Sequence, residues 1–353
     1  MSPPPRDKPG GPPALGQNRP MPAATPLRRR DLLASALGLP LGARLVQAQD
    51  PPGRVWRVGP GQALSRIADA LRQAGDGDTV EILPGTYRGD VAVIHQRRLR
   101  IVGIGARPLL QADGQHAEGK AIWVVQGGDI QIENIAFQGC RVPHGNGAGI
   151  RFEKGQLQLL RCAFADNQMG LLTGNDGVST LAIDDSDFSD APVNPASLAH
   201  LLYVGRIGQF SIRNSRFERG RAGHLIKSRA RSAVISGNLL DDGPTGEASY
   251  EIDLPNGGLA WVEGNTVVQR ERTQNPVMLS YGAEGQPWDQ NRLTLRHNRF
   301  VNHLPVGAWF VRVWADRLPA GTEVFSQHNH YLGPGELALG PNGSSQDDQR
   351  GPA

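Results

Sequence analysis

The densest polar side chains of this 353-residue chain fall in three short blocks. The first runs Gly223-His224-Leu225-Ile226-Lys227-Ser228-Arg229-Ala230-Arg231 and the second Ser249-Tyr250-Glu251-Ile252-Asp253-Leu254-Pro255-Asn256. The third is Asn275-Pro276-Val277-Met278-Leu279-Ser280-Tyr281-Gly282-Ala283-Glu284. On an extended strand, residues two apart share a face. Lys227, Arg229 and Arg231 are therefore expected to project together, with Glu251 and Asp253 beside them on the next strand. Such a cationic shelf suits an acidic sugar polymer. In β-elimination a uronate carboxylate is neutralised, a base removes the C5 proton and an acid protonates the leaving oxygen. Arg229 can do the first, and Lys227, with an amine pKa lowered by neighbouring cations, the second. Lysine is scarce beyond residue 48, occurring only as Lys120, Lys154 and Lys227. His224 and Tyr250 are further candidates for catalysis. Tyr203, Arg231, Glu251, Asp253, Asn256, Tyr281 and Glu284 are candidates for holding substrate.

Each assignment has a plainer competitor. Lys227 with Glu251 and Arg229 with Asp253 could be cross-strand ion pairs, of the kind worth ~0.2–1 kcal/mol on exposed sheets. That reading leaves His224, Tyr250, Asn256 and Tyr281 without a purpose. A single His is more often structural than catalytic, and the tyrosines could equally stack inward. Glu251, Asp253 and Glu284 could bind Ca²⁺, yet no close run of oxygen ligands such as an EF-hand loop appears. The sequence requires no cofactor. Asp184-Asp185, Asp187 and Asp241-Asp242 read as turn residues.

The elements that position these blocks repeat. Ile130-Gln-Ile132-Glu-Asn134-Ile-Ala-Phe137 shares an apolar-x-apolar-x(4)-apolar frame with six later segments, whose last anchors are Phe164, Phe188, Phe217, Leu240, Val267 and Phe300. The seven anchors span 163 residues, a mean interval near 27. A repeat of strands and turns without a helix excludes a helical solenoid, and no propeller-blade signature is present. A parallel β-helix remains, in which inward side chains stack coil on coil and the Asn before the turn joins a ladder along the axis. Leu64, Ile67, Ala68, Leu71 and Ala74 have helical spacing ended by Gly75, which predicts one amphipathic helix capping the first coil.

That helix and the following Gly75-Asp-Gly-Asp-Thr-Val-Glu-Ile-Leu-Pro-Gly-Thr-Tyr87 resemble the opening of the right-handed parallel β-helix superfamily of pectate lyases and their relatives. The resemblance covers roughly residues 55–335 and implies an all-β solenoid. The three polar blocks also resemble a family of exported bacterial β-helix proteins, implying a shared site and no particular reaction. The expected function is an exported lyase acting on a uronate-containing polysaccharide. A C5 epimerase would use the same residues without chain cleavage, and a periplasmic polysaccharide-binding or assembly protein is the non-catalytic alternative.

Composition bounds the rest. Hydrophobic residues at 39% and charged residues at 20% exclude an integral membrane protein and a charged disordered tail. Two cysteines cannot make a disulfide-dense scaffold, and a Cys140–Cys162 bridge is possible without being indicated. Seven of the 37 basic and two of the 34 acidic residues lie in residues 1–48, leaving 30 against 32, formally −2. The basic balance is thus a property of the N-terminus and does not imply nucleic acid. There, Arg28-Arg29-Arg30-Asp31-Leu32-Leu33, a mildly apolar stretch and Val46-Gln47-Ala48 read as a twin-arginine-like export signal, with Met1 or Met21 as the start. The expected organisation is a signal at 1–48, the β-helix at 49–339 and a disordered polar tail at 340–353. A monomeric periplasmic or secreted protein without a membrane span follows.

Overall fold

The apolar frame dictates the architecture through strand alternation. Ile130 and Ile132 are buried while Gln131 between them is exposed. One such strand cannot cover its own inward row, so coil must stack on coil. The computed structural model describes residues 53–305 and 307–353; the export signal expected at 1–48 lies outside them. Strands of successive coils pair in parallel into sheets of 12, 10 and 11 strands. The chain visits them in rotation: Asp129–Glu133 in the first, Ala136–Gln138 in the third, Ala148–Phe152 in the second, then Gln156–Leu160 back in the first. This is a parallel β-helix. Among the described residues no helix is long and apolar enough to cross a membrane.

Register follows the repeat residue for residue. The anchors Phe137, Phe164, Phe188, Phe217, Leu240, Val267 and Phe300 pair in one continuous line. Its four consecutive phenylalanines stack at 5.1, 4.8 and 4.8 Å between centroids, with planes within 10°. That separation is close to the ~4.8 Å spacing of paired strands, so ring stacking and backbone pairing reinforce each other.

The corner between the first and third sheets divides the asparagines into two roles. Asn265 Oδ1 accepts from Asn238 N and Nδ2, both at 2.9 Å, and Asn298 and Asn329 repeat the pattern. Each Nδ2 also donates to a carbonyl of the preceding coil, as Asn298 does to Val262 O at 2.8 Å. Asn134 and Asn214 sit one position earlier, at φ 56° and 51°, a left-handed turn that Asn tolerates better than most residues.

The ends differ from expectation. The helix covers only Ile67–Gln73, because Leu64 is drawn into a bridge with Val58. Its first amides are taken by Asp90, at 2.6 Å from Ile67 N and 2.9 Å from Ala68 N. Residues 340–353 do not form a disordered tail. Gly343–Gln346 and Gln349–Gly351 pair with Glu323–Gln327 and His330–Leu332, and Asp348 accepts the Asn329 N–H at 2.8 Å. Polarity misleads there because this rung is held by backbone pairing and the ladder more than by apolar burial. Cys140 and Cys162 are both free and buried.

Glu251 is the sharpest exception to an apolar interior. Alternation places it outward beside Asp253, but it precedes the strand Ile252–Leu254 and lies in the corner, where alternation lapses. Its counterparts on adjoining coils are Leu225 and Met278, both 0% exposed. Glu251 turns inward with them, 0% exposed, and neither carboxylate oxygen reaches a hydrogen-bond partner on another of the described residues. Burial, and then the charge of Asp242, push its carboxyl well above the usual range. Burial also pushes Asp242 up to about 6, against the Gly220 and Ala248 amides that bind it.

Two outcomes are expected. The folded state keeps a proton on Glu251 that the unfolded chain releases above about pH 4.5, so this contribution is fully present below that value and lost as pH rises. Glu251→Gln should therefore unfold at a higher temperature than the parent near pH 8 and at a similar one near pH 4.5. Coincident pH profiles would clear Glu251 of the effect. Asn298→Ala, which orphans the buried Asn265 N–H and leaves Val262 O without its side-chain donor, should lower stability by roughly 1–3 kcal/mol in denaturant unfolding.

Candidate functional site

The outer face of the ten-stranded sheet sets one residue per rung in a row: Tyr203, Lys227, Asp253, Ser280 and Arg312. Lys227 comes from the strand Ile226–Ser228, whose other face sends Ile226 into the core. Its cross-rung partner is Asp253, not Glu251, with Nζ 3.5 Å from Oδ2. Arg229 lies just past the strand and leans back over the row. Its Nε donates to Tyr203 Oη at 3.0 Å, its Nη1 to Asn256 Oδ1 at 2.8 Å and its Nη2 to Glu284 Oε2 at 2.5 Å. The expected Arg229–Asp253 pair does not form. Lys227 Nζ donates to Glu284 Oε1 at 2.6 Å, so one carboxylate is gripped by two cations, one on each oxygen. Burial alone would raise the Glu284 carboxyl, but the hydrogen bonds from Lys227 and Arg229 outweigh it and hold the pKa below the usual value.

Glu284 arrives on residues 282–291, a long turn that folds back across the row. Gly282 starts it at φ 86°, where a Cβ would meet the Leu318 side chain at 2.7 Å. Asn256 Nδ2 donates to Gly285 O at 2.7 Å, Arg206 Nη1 to Gln286 O at 2.8 Å and Trp288 Nε1 to Arg229 O at 3.0 Å. Sequence spacing foresees an open shelf. The structure shows a covered one, with Lys227 8% and Asp253 2% exposed. Asn256 is likewise buried and acts on Arg229 and the turn, so it positions the site from beneath.

Aromatic rings form the flank. His200 stands edge-on to Tyr203 and His224, and His224 edge-on to Tyr250, with centroids 5.2, 4.7 and 4.7 Å apart. His224 Nδ1 lies 3.3 Å from Asp253 Oδ2, so Asp253 faces both His224 and Lys227. His200 Nδ1 accepts the His224 backbone N–H at 2.9 Å, which places the neutral ring's proton on Nε2. Burial, then the charges of His224, Lys227 and Arg229, push its pKa well below the usual value. Sequence reasoning missed His200. The signal was available, since Tyr203 and Lys227 are paired at the same 24-residue offset that relates His200 to His224. Tyr250 reaches the cluster only through the His224 ring.

Three expected members lie elsewhere. Tyr281 pairs in register with inward-facing Leu254, is 0% exposed, and donates to Gly258 O at 2.6 Å. Arg231 is past the end of the strand, on the turn, against Trp288 at 4.9 Å with Arg206 against the same ring at 4.1 Å. Glu251 is in the core, so Glu251, Asp253 and Glu284 do not converge on a Ca²⁺ site. Among the described residues no three His, Cys, Asp or Glu side chains gather as metal ligands.

No protein-family model matches the chain. No characterised protein matches it by sequence. Solved structures do match. The pectate lyase Pel9A is 13% identical with a TM-score of 0.57, over 84% of this chain and 80% of its own. The Azotobacter vinelandii mannuronan C-5 epimerase AlgE6 A-module is 13% identical with a TM-score of 0.38, over 81% and 93%. Geobacillus virus E2 ORF18 is 12% identical with a TM-score of 0.47 over 78% of this chain, which spans 53% of that protein. At these identities the shared property is the fold: the chain is a parallel β-helix protein, as Pel9A is.

Proposed function

We propose that this protein is an exported polysaccharide-active enzyme that binds a uronate-containing glycan over the ten-stranded sheet and cleaves it by β-elimination. The observation that carries this reading is the Glu284 carboxylate held between Lys227 Nζ and Arg229 Nη2. A site that grips an internal carboxylate has the charge and geometry to grip a uronate carboxylate in its place. The fold shared with the pectate lyase Pel9A supplies a precedent for such chemistry on this scaffold and no more.

On this reading the substrate carboxylate displaces Glu284. Arg229, fixed by Tyr203 and Asn256, neutralises it and stabilises the negative charge that develops when C5 loses its proton. Glu284, on leaving, carries off the proton it shares with Lys227 Nζ, and the neutral amine so formed, beside the substrate carboxylate and C5, takes the C5 proton. The electron pair forms the C4–C5 double bond and the C4–O bond breaks. Tyr203 Oη, held by Arg229, gives its proton to the leaving oxygen. Asp253 orients Lys227 and His224 from below.

Incubation with polygalacturonate and polymannuronate should yield chain ends with the ultraviolet absorbance of an unsaturated uronate. Shortening without such absorbance would remove the lyase reading. An inverted C5 without shortening, seen by NMR, would make the protein an epimerase, and binding without turnover a binding protein. Lys227→Arg keeps the charge but cannot act as a base. It should lower kcat by about 10²–10⁴-fold with KM nearly unchanged, and parental turnover in that variant would assign the base elsewhere. Glu284→Gln should lower KM several-fold, since the internal competitor is gone.

A further inference from the structure

The row beyond Lys227 carries two polar atoms that the protein leaves unsatisfied. Asp253 Oδ1 and Ser280 Oγ have no hydrogen-bond partner among the described residues. Both side chains are buried, 2% and 0% exposed, and they are direct register neighbours on the same outward row. Buried polar groups are almost always paired, because an unmade hydrogen bond in a dry environment is costly. A serine is not needed to fill this position, since an alanine would fit the same backbone. Glu284, four residues on, lies on the turn that crosses the row and is bonded to Lys227 and Arg229, so a ligand that displaces it arrives on the row beside Lys227, whose Nζ faces Asp253.

We infer that Asp253 and Ser280 form a hydroxyl-reading subsite for the sugar next to the uronate held by Lys227 and Arg229. The inference rests on the proposed function and extends it to substrate selection. Adjacent strands lie ~4.8 Å apart, a gap that one bridging oxygen spans. A ring hydroxyl there donates to Asp253 Oδ1, which as a carboxylate only accepts, and accepts from the Ser280 hydroxyl. Both unpaired atoms are satisfied by one group. The subsite therefore selects a free hydroxyl over a deoxy, methylated or acylated position, the kind of choice in which an unmatched buried polar site discriminates strongly. Ser280 is the specificity-determining residue of the pair, because Asp253 also orients Lys227 and His224.

The test is Ser280→Ala, assayed against defined galacturonate and mannuronate oligomers beside the parent and Lys227→Arg. Removing an unpaired buried hydroxyl should leave the unfolding temperature unchanged or raised. KM should rise about tenfold with kcat little altered, and the parent's preference for an unmodified over a ring-methylated oligomer should shrink by the same factor. Ser280→Thr, which keeps the hydroxyl, should retain most of that preference. If Ser280→Ala matches the parent in KM and in the methylated comparison, the atoms hold an ordered water only and the inference is overturned, while the Lys227→Arg result still judges the reaction. If the parent neither binds nor turns over any oligomer, the reaction and the subsite fall together.

Discussion

Everything in this molecule depends on the hydrogen-bonded spacing of parallel strands. That one distance is also close to the stacking distance of aromatic rings and within the reach of an asparagine side chain to the next turn of backbone. A phenylalanine in one coil thus finds a phenylalanine in the next at 4.8 Å, and Asn265 finds Asn298 at 2.9 Å. Register becomes a shared property of core, corner and surface. An outward residue is fixed relative to its neighbour one coil away as firmly as the core is, which is how Tyr203, Lys227, Asp253 and Ser280 come to stand in line from four separate stretches of sequence.

The site departs from that regularity in one place. Most turns between the second and first sheets are short, but residues 282–291 are long enough to cross the row and bring in Glu284, Trp288 and the carbonyls that pin Asn256 and Arg206. The rigid solenoid supplies a cationic pair at fixed separation. The turn supplies the carboxylate that neutralises it, which keeps two partly buried cations from facing each other without a counter-charge.

The repeat was legible because it is written twice, in apolar spacing and in turn residues. The apolar anchors from Phe137 to Phe300 are register partners in the third sheet. The row was partly legible: Lys227, Asp253 and Tyr203 follow from alternation within strands. Two of the three misplaced residues lie outside strands. Glu251 precedes its strand and Arg231 follows one, so neither obeys the two-residue rule. Tyr281 is in phase with Leu254 and faces inward, which the register of its own coil decides. The end rung was hidden for another reason, since Gly343–Gln346 is polar and is held by its backbone.

Glu284 has a consequence for the kind of anion that can enter. A carboxylate tethered on this turn is present at the cation pair at a high effective concentration, in the millimolar range for flexible tethers and higher when the tether is folded. A lone small anion at ordinary concentration competes poorly against it. A polymer bearing a carboxylate on every ring returns to the same cations each time it lets go, and so competes on equal terms. On the proposed function the turn works as a valence filter, favouring a ligand that carries many carboxylates in sequence over one that carries a single charge.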